Sequence, residues 1–411
     1  MATETFTADV LKIASKACGR GFSRKVTKLL KSNETGLRET WRTILPTDLT
    51  KNDRSNLTID TKFEIILSVS REQLSGDSYD ALLLAIAEAS IAANQFDRAM
   101  NLLDEIKSRP DSETNKSLKG SASRFLGEIF AKQANWSRAL EEFNTAESYL
   151  RDSGDTKALS ATLNTLGILY AETGRLSNAL ESFESSKKLA VANKDRELLL
   201  KIYMNLGNIL NIRGDHDSAL ESYNSALKTL GNMNNDPLRA LIHHNIGIAY
   251  KNKGNLEAAE RKLDDGLRFS ERAGDERIAG LSYLEKAEIY HKKNEIDESV
   301  LLATKAFKIF SEMKDRLGVA EVYKLMGMNH KKNGRFDLAE VYLGNSLRIN
   351  ERHDNSLNKG ETYLEIARLH RETKDAEQAE VDYGKALECF TSIEAQQKIA
   401  MVAKEMSAKA L

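Results

Sequence analysis

Apolar and polar residues alternate along most of the chain with the spacing of amphipathic helices. In one clear segment, Leu163, Gly167 and Tyr170 fall on a single helical stripe. A short polar turn around Gly174 follows, and a second stripe begins at Ala179. Two amphipathic helices joined by a short turn predict a helical hairpin whose apolar stripes face each other.

This hairpin pattern recurs every forty residues. A small residue marks the first helix of seven consecutive units, and a second small residue follows twelve positions later. The first set is Gly127, Gly167, Gly207, Gly247, Ala287, Gly327 and Ala367, and the second is Ala139, Ala179, Ala219, Ala259, Ser299, Ala339 and Ala379. Because such small side chains let helix backbones approach closely, the period predicts an array of packed helical hairpins.

The residues between the stripes predict where each helix stops and starts. Glycine occupies the turn inside four hairpins, at Gly174, Gly214, Gly254 and Gly334, where a left-handed residue ends the first helix at little cost. Asn294 and Lys374 take this place in two others. The linkers between hairpins contain Asp or Asn residues suited to capping the next helix: Asp155, Asp195, Asn235, Asp275 and Asp315. Pro237 suits the first turn of such a helix.

One family carries this motif. The pattern of Leu166-Gly167, Tyr170, Ala179 and Phe183 resembles the tetratricopeptide repeat, and the longer period resembles kinesin light chain, Pins-type scaffolds and bacterial Rap-type regulators. An earlier unit is expected around Ala87. The resemblance implies an all-α, right-handed superhelical solenoid of about eight hairpins. We expect a basic N-terminal helical segment at 1–77, the repeat array at 78–392 and a C-terminal capping helix at 393–411.

Composition adds little chemical bias. Lys and Arg number 60 against 61 Asp and Glu, so the chain as a whole gives no nucleic-acid or membrane signal. Cys18 and Cys389 lie at opposite ends, which favours a reducing compartment and a cytoplasmic location. No apolar run approaches the length of a membrane span.

The N-terminal segment has an uneven charge. Between residues 10 and 31 there is no acidic residue, but there are seven basic ones: Lys12, Lys16, Arg20, Arg24, Lys25, Lys28 and Lys31. They are candidates for contact with an anionic surface. The simpler interpretation is a helical bundle with its lysines in water. A third is that the segment docks on acidic residues of the array and competes with a partner.

No arrangement of residues predicts a catalytic centre, a metal site or a cofactor. His243 and His244 are adjacent, so on a helix they point in different directions. We expect His330 and His370 to replace a packing tyrosine and His291 to be solvated. An enzyme is therefore not expected.

The best candidate site is the face of the first helices, which should line a groove when the hairpins stack. We predict that the positions three and two before, and one and four after, the marker residue face it. The partner-binding candidates are Asn164, Met204, Asn205, Asn208, Asn211, His244, Asn245, Lys251, Lys324, Lys331, Arg368 and Arg371. Asparagine amides both donate and accept, which suits an extended peptide backbone, and the resemblance implies similarly placed asparagines in Rap-type and Pins-type proteins. The basic members favour an acidic side chain or a carboxylate, although Glu285, Glu288 and Glu365 lie among them.

Three functions fit this sequence. The first is a non-enzymatic adaptor that binds a peptide or helix of another protein in the groove. The second is a peptide-gated regulator whose basic N-terminal segment contacts an effector or a nucleic acid. The third is a passive structural subunit of a larger assembly, with its convex face and its ends making the contacts. The sequence leaves the partner and the oligomeric state open.

Overall fold

The computed structural model describes residues 2–18, 59–74, 76–110, 115–353, 355–393 and 395–407. Throughout these residues the chain is built from helices and contains no strand. The helices group into two compact units, Met1–Leu166 and Gly167–Leu411. The expected all-α repeat fold is therefore confirmed.

Within the described residues eight helical hairpins form the array, and we number them 1 to 8 in chain order. Their first and second helices are Gly76–Ala92 with Phe96–Lys107, Lys116–Lys132 with Trp136–Ser153, Thr156–Glu172 with Leu176–Ala192, Arg196–Arg213 with His216–Leu230, Asp236–Asn252 with Leu256–Ala273, Glu276–Lys292 with Ile296–Glu312, Arg316–Lys332 with Phe336–Arg352, and Ser356–Glu372 with Ala376–Ser392. Helix Gln396–Ser407 follows the last hairpin. Helix Ala2–Cys18 packs on Ile59–Gln73 and on the first helix of hairpin 1.

The small marker residues lie where the two helices of a hairpin cross, as predicted. A Cβ atom on Gly167 would lie 2.6 Å from Cε1 of Phe183, and one on Gly247 would lie 2.7 Å from Cγ of Leu263. In hairpin 6 the marker is Ala287, and the residue facing this place in the second helix is the equally small Ala303. A glycine in the first helix thus makes room for a large residue in the second, and in hairpin 6 two alanines fill the same place.

Turns and caps also follow the prediction. Gly174 and Gly214 have φ of +79° and +85°, and Asn294 and Lys374 adopt the same left-handed conformation with φ of +65°. The carboxylate of Asp195 accepts a hydrogen bond from the backbone N–H of Leu198 at 3.0 Å, which caps the first helix of hairpin 4. These local signals therefore fix the helix ends independently of the core.

In the unit Gly167–Leu411, hydrophobic cores lie between the helices of one hairpin and the first helix of the next. In one such cluster, Tyr223 and Leu230 of hairpin 4 pack with Ile242 and Ile246 of hairpin 5. The last helix closes the series, because its Val402 is fully buried against the apolar residues of hairpin 8. Within this unit a hairpin therefore needs its neighbour to bury its second apolar face.

Candidate functional site

Side chains on neighbouring first helices meet in a regular register within the unit Gly167–Leu411. The contact joins residues 37 positions apart, which is one repeat of forty residues less three. Asn208 with Asn245, Lys251 with Glu288, Lys324 with Glu361, and Arg368 with Glu405 all obey this spacing. Equivalent helices of neighbouring hairpins lie side by side, which alone would bring residue i beside residue i+40. The observed partner is residue i+37, so the contact is displaced by three residues, which is nearly one helical turn. We call this surface the first-helix face.

The asparagines of hairpins 4 and 5 form an uncharged part of this face. The Asn245 side-chain amide donates to Oδ1 of Asn208 at 3.1 Å, and the hydroxyl of Tyr223 donates to the same oxygen at 2.7 Å. One turn further along, the Asn252 amide donates to Oδ1 of Asn211 at 3.3 Å. Asn208 and Asn252 are exposed, and Asn245 is half-buried. The row therefore presents amide groups to solvent while it is held by its own hydrogen bonds. We call Asn208, Asn211, Asn245 and Asn252 the amide row.

Other predicted members of the site lie deeper. Met204 and His244 are buried, with 7% and 4% of their surface exposed. Nδ1 of His244 lies 3.1 Å from the hydroxyl of Ser282. Burial, assisted by the charge of Lys251, lowers the pKa of His244 to about 4, so the ring is neutral near pH 7. Asn205 is half-buried and also takes part in a polar interaction. In the other unit, Asn164 is buried and likewise has a polar interaction.

Lys251 marks the point where the face becomes charged. Its ammonium lies 2.5 Å from a carboxylate oxygen of Glu285 and is hydrogen-bonded to Glu288. The Lys251 side chain is only 7% exposed. Burial alone would lower its pKa, but the two carboxylates raise it above the ordinary value. Lys251 is therefore a permanently charged centre that is already neutralised from within the chain.

Lys324 makes a second centre of this kind. Its ammonium lies 2.7 Å from Glu321 and 2.6 Å from Glu361, and Lys398 of the last helix reaches the other oxygen of Glu361 at 2.7 Å. Burial would raise the pKa of Glu361, but Lys324 and Lys398 hold it far below its usual value. The last helix is thus tied into the face by charge as well as by its apolar residues.

Lys331, Arg368 and Arg371 complete the charged part. Lys331 lies 2.9 Å from Glu365, and Arg368 binds Glu365 and, at 2.5 Å, Glu405 of the last helix. The guanidinium of Arg371 lies 3.9 Å from the same Glu405 and is exposed. The basic residues that suggested an acidic ligand are therefore paired with carboxylates of their own chain.

Glu321, Glu361, Lys398 and Glu405 belong to this network, although sequence reasoning did not select them. A usable signal was present, because residues of opposite charge recur 37 positions apart. Arg368 with Glu405 is one such pair. If the charged residues had been compared at equivalent repeat positions, the cations of the first helices would have been seen to have carboxylate partners in the next hairpin.

The histidines have structural environments. His291 was expected to be solvated, and this is wrong: it is 8% exposed, and its Nδ1 lies 2.6 Å from Oδ1 of Asn329. The buried imidazole of His291 and the buried amide of Asn329 each need a hydrogen-bond partner, and each provides one for the other. His330 stacks on Tyr342 with ring centroids 5.1 Å apart, and Nδ1 of His370 lies 2.9 Å from Asp382.

The basic N-terminal residues are only partly within the described chain. Lys12 and Lys16 are exposed on helix Ala2–Cys18, whose Val10 and Ala14 are fully buried. Arg20, Arg24, Lys25, Lys28 and Lys31 lie outside the described residues. Among the residues that the structure describes, no helix is long and apolar enough to cross a membrane, and no group of three or more His, Cys, Asp or Glu side chains could hold a metal ion.

Ile393, in the linker before the last helix, and Gln397, in the first turn of that helix, lie against two distant turns of the same unit. A Cβ atom on Gly174 would lie 3.1 Å from Cα of Ile393, and one on Gly214 would overlap the side-chain amide of Gln397. These turns belong to hairpins 3 and 4, whereas Ile393 and Gln397 follow hairpin 8. The last helix and the linker before it therefore contact both the end and the beginning of the row of hairpins in this unit.

Comparison with known families agrees with this architecture. The tetratricopeptide repeat model matches residues 159–232, 198–272 and 318–392. The chain therefore contains tetratricopeptide repeats over these ranges. No curated protein sequence matches it.

Solved structures place the chain among repeat proteins of the same fold. It is similar to the apo form of RapI, with 17% identity, a TM-score of 0.63 and coverage of 92% of this chain and 99% of that one. A Rap protein complexed with competence and sporulation factor has 15% identity and a TM-score of 0.61, and the match covers 95% of this chain and 99% of that one. The apo quorum sensor NprR from B. thuringiensis has 15% identity and a TM-score of 0.63, covering 82% and 94%. At these identities the similarity shows the fold.

Proposed function

We propose that this protein is a non-enzymatic, cytoplasmic interaction protein that binds an extended segment of another protein along the amide row of hairpins 4 and 5. One observation carries the proposal. The amide row exposes donors and acceptors, whereas the charged part of the same face has its cations and carboxylates paired with each other. A peptide backbone needs both donors and acceptors and no net charge.

The structural relatives support a peptide as the ligand class. One of them is a Rap protein complexed with competence and sporulation factor, and another is the plasmid pLS20 Rap regulator in complex with the Phr* peptide. In this chain the internal ion pairs leave little free charge for an acidic side chain. We therefore place the main contacts of the ligand on its backbone.

The test is a selection of random dodecapeptides displayed on phage, followed by fluorescence anisotropy with the enriched peptides. The variant Asn208→Glu with Asn245→Glu should weaken binding at least tenfold, because two carboxylates replace groups that donate to the peptide. Asn144→Glu with Asn224→Glu is the matched control, since these asparagines are exposed on second helices. Peptides that bind both double variants as well as the wild type would refute the proposal.

A peptide-gated regulator is the second candidate, and it is favoured by the contacts of Ile393 and Gln397 with the turns of hairpins 3 and 4. A ligand on the first-helix face could change these contacts and so select between two states. Removing residues 1–31 separates the two functions. An adaptor without these residues keeps its peptide affinity and its partner, whereas a regulator keeps the peptide and loses its effector.

A further inference from the structure

One position of the first helices changes its charge from one side of the amide row to the other. It lies five residues after the marker residue, near the end of each helix. In hairpins 3 to 6 it is occupied by Glu172, Ile212, Asn252 and Lys292. Asn252 belongs to the amide row, and Ile212 is exposed beside Asn211. The two hairpins that flank the row therefore carry opposite charges at the same repeat position.

The side chains of Glu172 and Lys292 are unpaired, unlike the charged residues at this position further along the array. Lys332 of hairpin 7 donates to a backbone carbonyl oxygen of hairpin 6 at 2.7 Å, and Glu372 of hairpin 8 lies 3.9 Å from Lys331. Glu172 and Lys292 are exposed, and with the described residues they form neither a side-chain hydrogen bond nor an ion pair. One charge of each sign is thus left unused beside the amide row.

Both of these charges lie where a counter-charge is needed. Burial raises the pKa of Glu172, which is also the last residue of its helix, where the helix dipole disfavours a negative charge. Burial and the charge of Lys251 lower the pKa of Lys292, against the attraction of Glu288 and Glu285. These two carboxylates already bind Lys251. A ligand that brings a cation to Glu172 and an anion to Lys292 would stabilise both ionised side chains.

The position of the two charges limits the length of such a ligand. First helices of neighbouring hairpins contact each other in this unit, as Asn208 and Asn245 show, and helices in contact lie about 8–10 Å apart. Three such steps, at most about 30 Å, lead from hairpin 3 to hairpin 6. An extended chain advances about 3.3 Å per residue. The charged groups of the ligand should therefore be about nine residues apart or closer.

We propose that Glu172 and Lys292 select the peptide that binds the amide row: Glu172 binds a cationic group at one end of the bound segment, and Lys292 binds a carboxylate at the other. The inference rests on the proposed function, because the amide row holds the backbone between the two charges. Amide groups accept a peptide backbone that runs in either direction. The two charges give the ligand one direction in the groove.

The dodecapeptides selected for binding to the wild type are the probes for this proposal. Glu172→Gln and Lys292→Gln should each weaken their binding about tenfold at low salt, because each removes one charge-assisted hydrogen bond. Lys332→Gln and Glu372→Gln are the matched controls, since they change the same position in hairpins 7 and 8, and they should leave the affinity unchanged.

The double glutamate variant of the amide row distinguishes the two ways in which this test can fail. Peptides that need the amide row but keep their affinity when either Glu172 or Lys292 is replaced by glutamine would overturn the present inference and leave the proposed function standing. Peptides that bind the amide-row variant as well as the wild type would refute the proposed function, and this inference with it.

A charge exchange tests the direction of binding. The tightest selected peptide is compared with a version in which its basic and acidic side chains are exchanged, each made with free and with blocked termini. Glu172→Lys with Lys292→Glu should prefer the exchanged peptide, whereas the wild type should prefer the original. Preference of both proteins for the same peptide would contradict the proposal. Affinity that survives acetylation and amidation assigns the charged groups to side chains, and affinity that is lost assigns them to the peptide termini.

Discussion

At the scale of single residues, the fold depends on size matching between the two helices of each hairpin. Gly247 faces Leu263 at a distance that leaves no room for a methyl group, and hairpin 6 solves the same problem with Ala287 and Ala303. The marker glycines therefore indicate that a large side chain packs opposite each of them in the second helix. Their role is to admit a large side chain, since each lies well inside a helix.

This pairing predicts a non-additive mutational effect. Gly247→Ala should destabilise the protein by about 1–3 kcal/mol through overpacking against Leu263. Leu263→Ala should cost about 2–5 kcal/mol through the cavity that it leaves. The double variant, which reproduces the alanine pair of hairpin 6, should cost less than the sum of the two. Urea unfolding of the four proteins measures the coupling, and strict additivity would show that the two residues do not share one space.

Buried His244 predicts a pH effect on stability. The folded pKa of His244 is lowered from 6.5 to about 4, so between these values the unfolded chain binds more protons than the folded one. Stability should therefore fall as pH decreases from 6.5 to about 4. His244→Gln can keep a hydrogen bond with Ser282 but does not titrate. Its unfolding free energy should have a smaller pH slope over this range, and an unchanged slope would contradict the assignment.

At the scale of helices, ion pairs stabilise the first-helix face, and several of them join residues 37 positions apart. Lys251 is the clearest case because its ammonium is buried between two carboxylates, those of Glu285 and Glu288. Removing one member of a buried pair leaves the other charge without compensation, and this is much more costly than losing an exposed pair. The network therefore aligns neighbouring hairpins.

Lys251→Met should lower the unfolding free energy by about 3–5 kcal/mol, because two carboxylates remain without their cation. Adding Glu285→Gln and Glu288→Gln should recover much of this loss. Lys253→Met is the control, since Lys253 pairs with Asp217 at an exposed site and its removal should have little effect. Denaturant unfolding at low and high salt measures all three. Equal losses for the two lysines would show that burial does not decide the energetics.

Periodicity and turn chemistry predicted the elements well, but the pairing of side chains between elements was missed, because it shows only when charges are compared between repeats. The repeat of small residues and the caps such as Asp195 are local signals, so they define helices and hairpins directly. Whether Lys324 faces solvent or Glu361 depends on the register between hairpins, which a single helix does not encode. His291 was misplaced for the same reason, because its partner Asn329 belongs to the next hairpin.

At the scale of the whole unit Gly167–Leu411, the last helix joins distant parts of the chain. It packs on hairpin 8, forms ion pairs with Glu361 and Arg368, and contacts the turn at Gly214. Ile393, in the linker before it, contacts the turn at Gly174. Such a contact links hairpins that are not neighbours in the array. Unfolding of this unit should therefore be more cooperative than nearest-neighbour coupling alone would give.

Substitutions at two glycines distinguish the contact with the last helix from the effect of changing a left-handed turn residue. Gly214 and Gly254 occupy equivalent turns with φ of +85° and +88°, but of the two it is Gly214 that lies against the last helix. Asparagine is accepted at this turn in hairpin 6, as Asn294. Gly214→Asn should therefore destabilise the protein more than Gly254→Asn and should increase hydrogen exchange in helix Gln396–Ser407. Equal effects of the two substitutions would show that the contact with Gln397 contributes nothing.

Peptide binding along the amide row is tested most directly by locating a bound peptide. A photoreactive benzoylphenylalanine is introduced at position 208 on the first-helix face or at position 224 on the exposed second helix of the same hairpin, and each protein is irradiated with a selected, labelled peptide. If the peptide lies along the amide row, position 208 gives a cross-linked product, mapped by mass spectrometry, and position 224 gives none. Cross-linking at position 224 without cross-linking at position 208 would contradict peptide binding along the amide row.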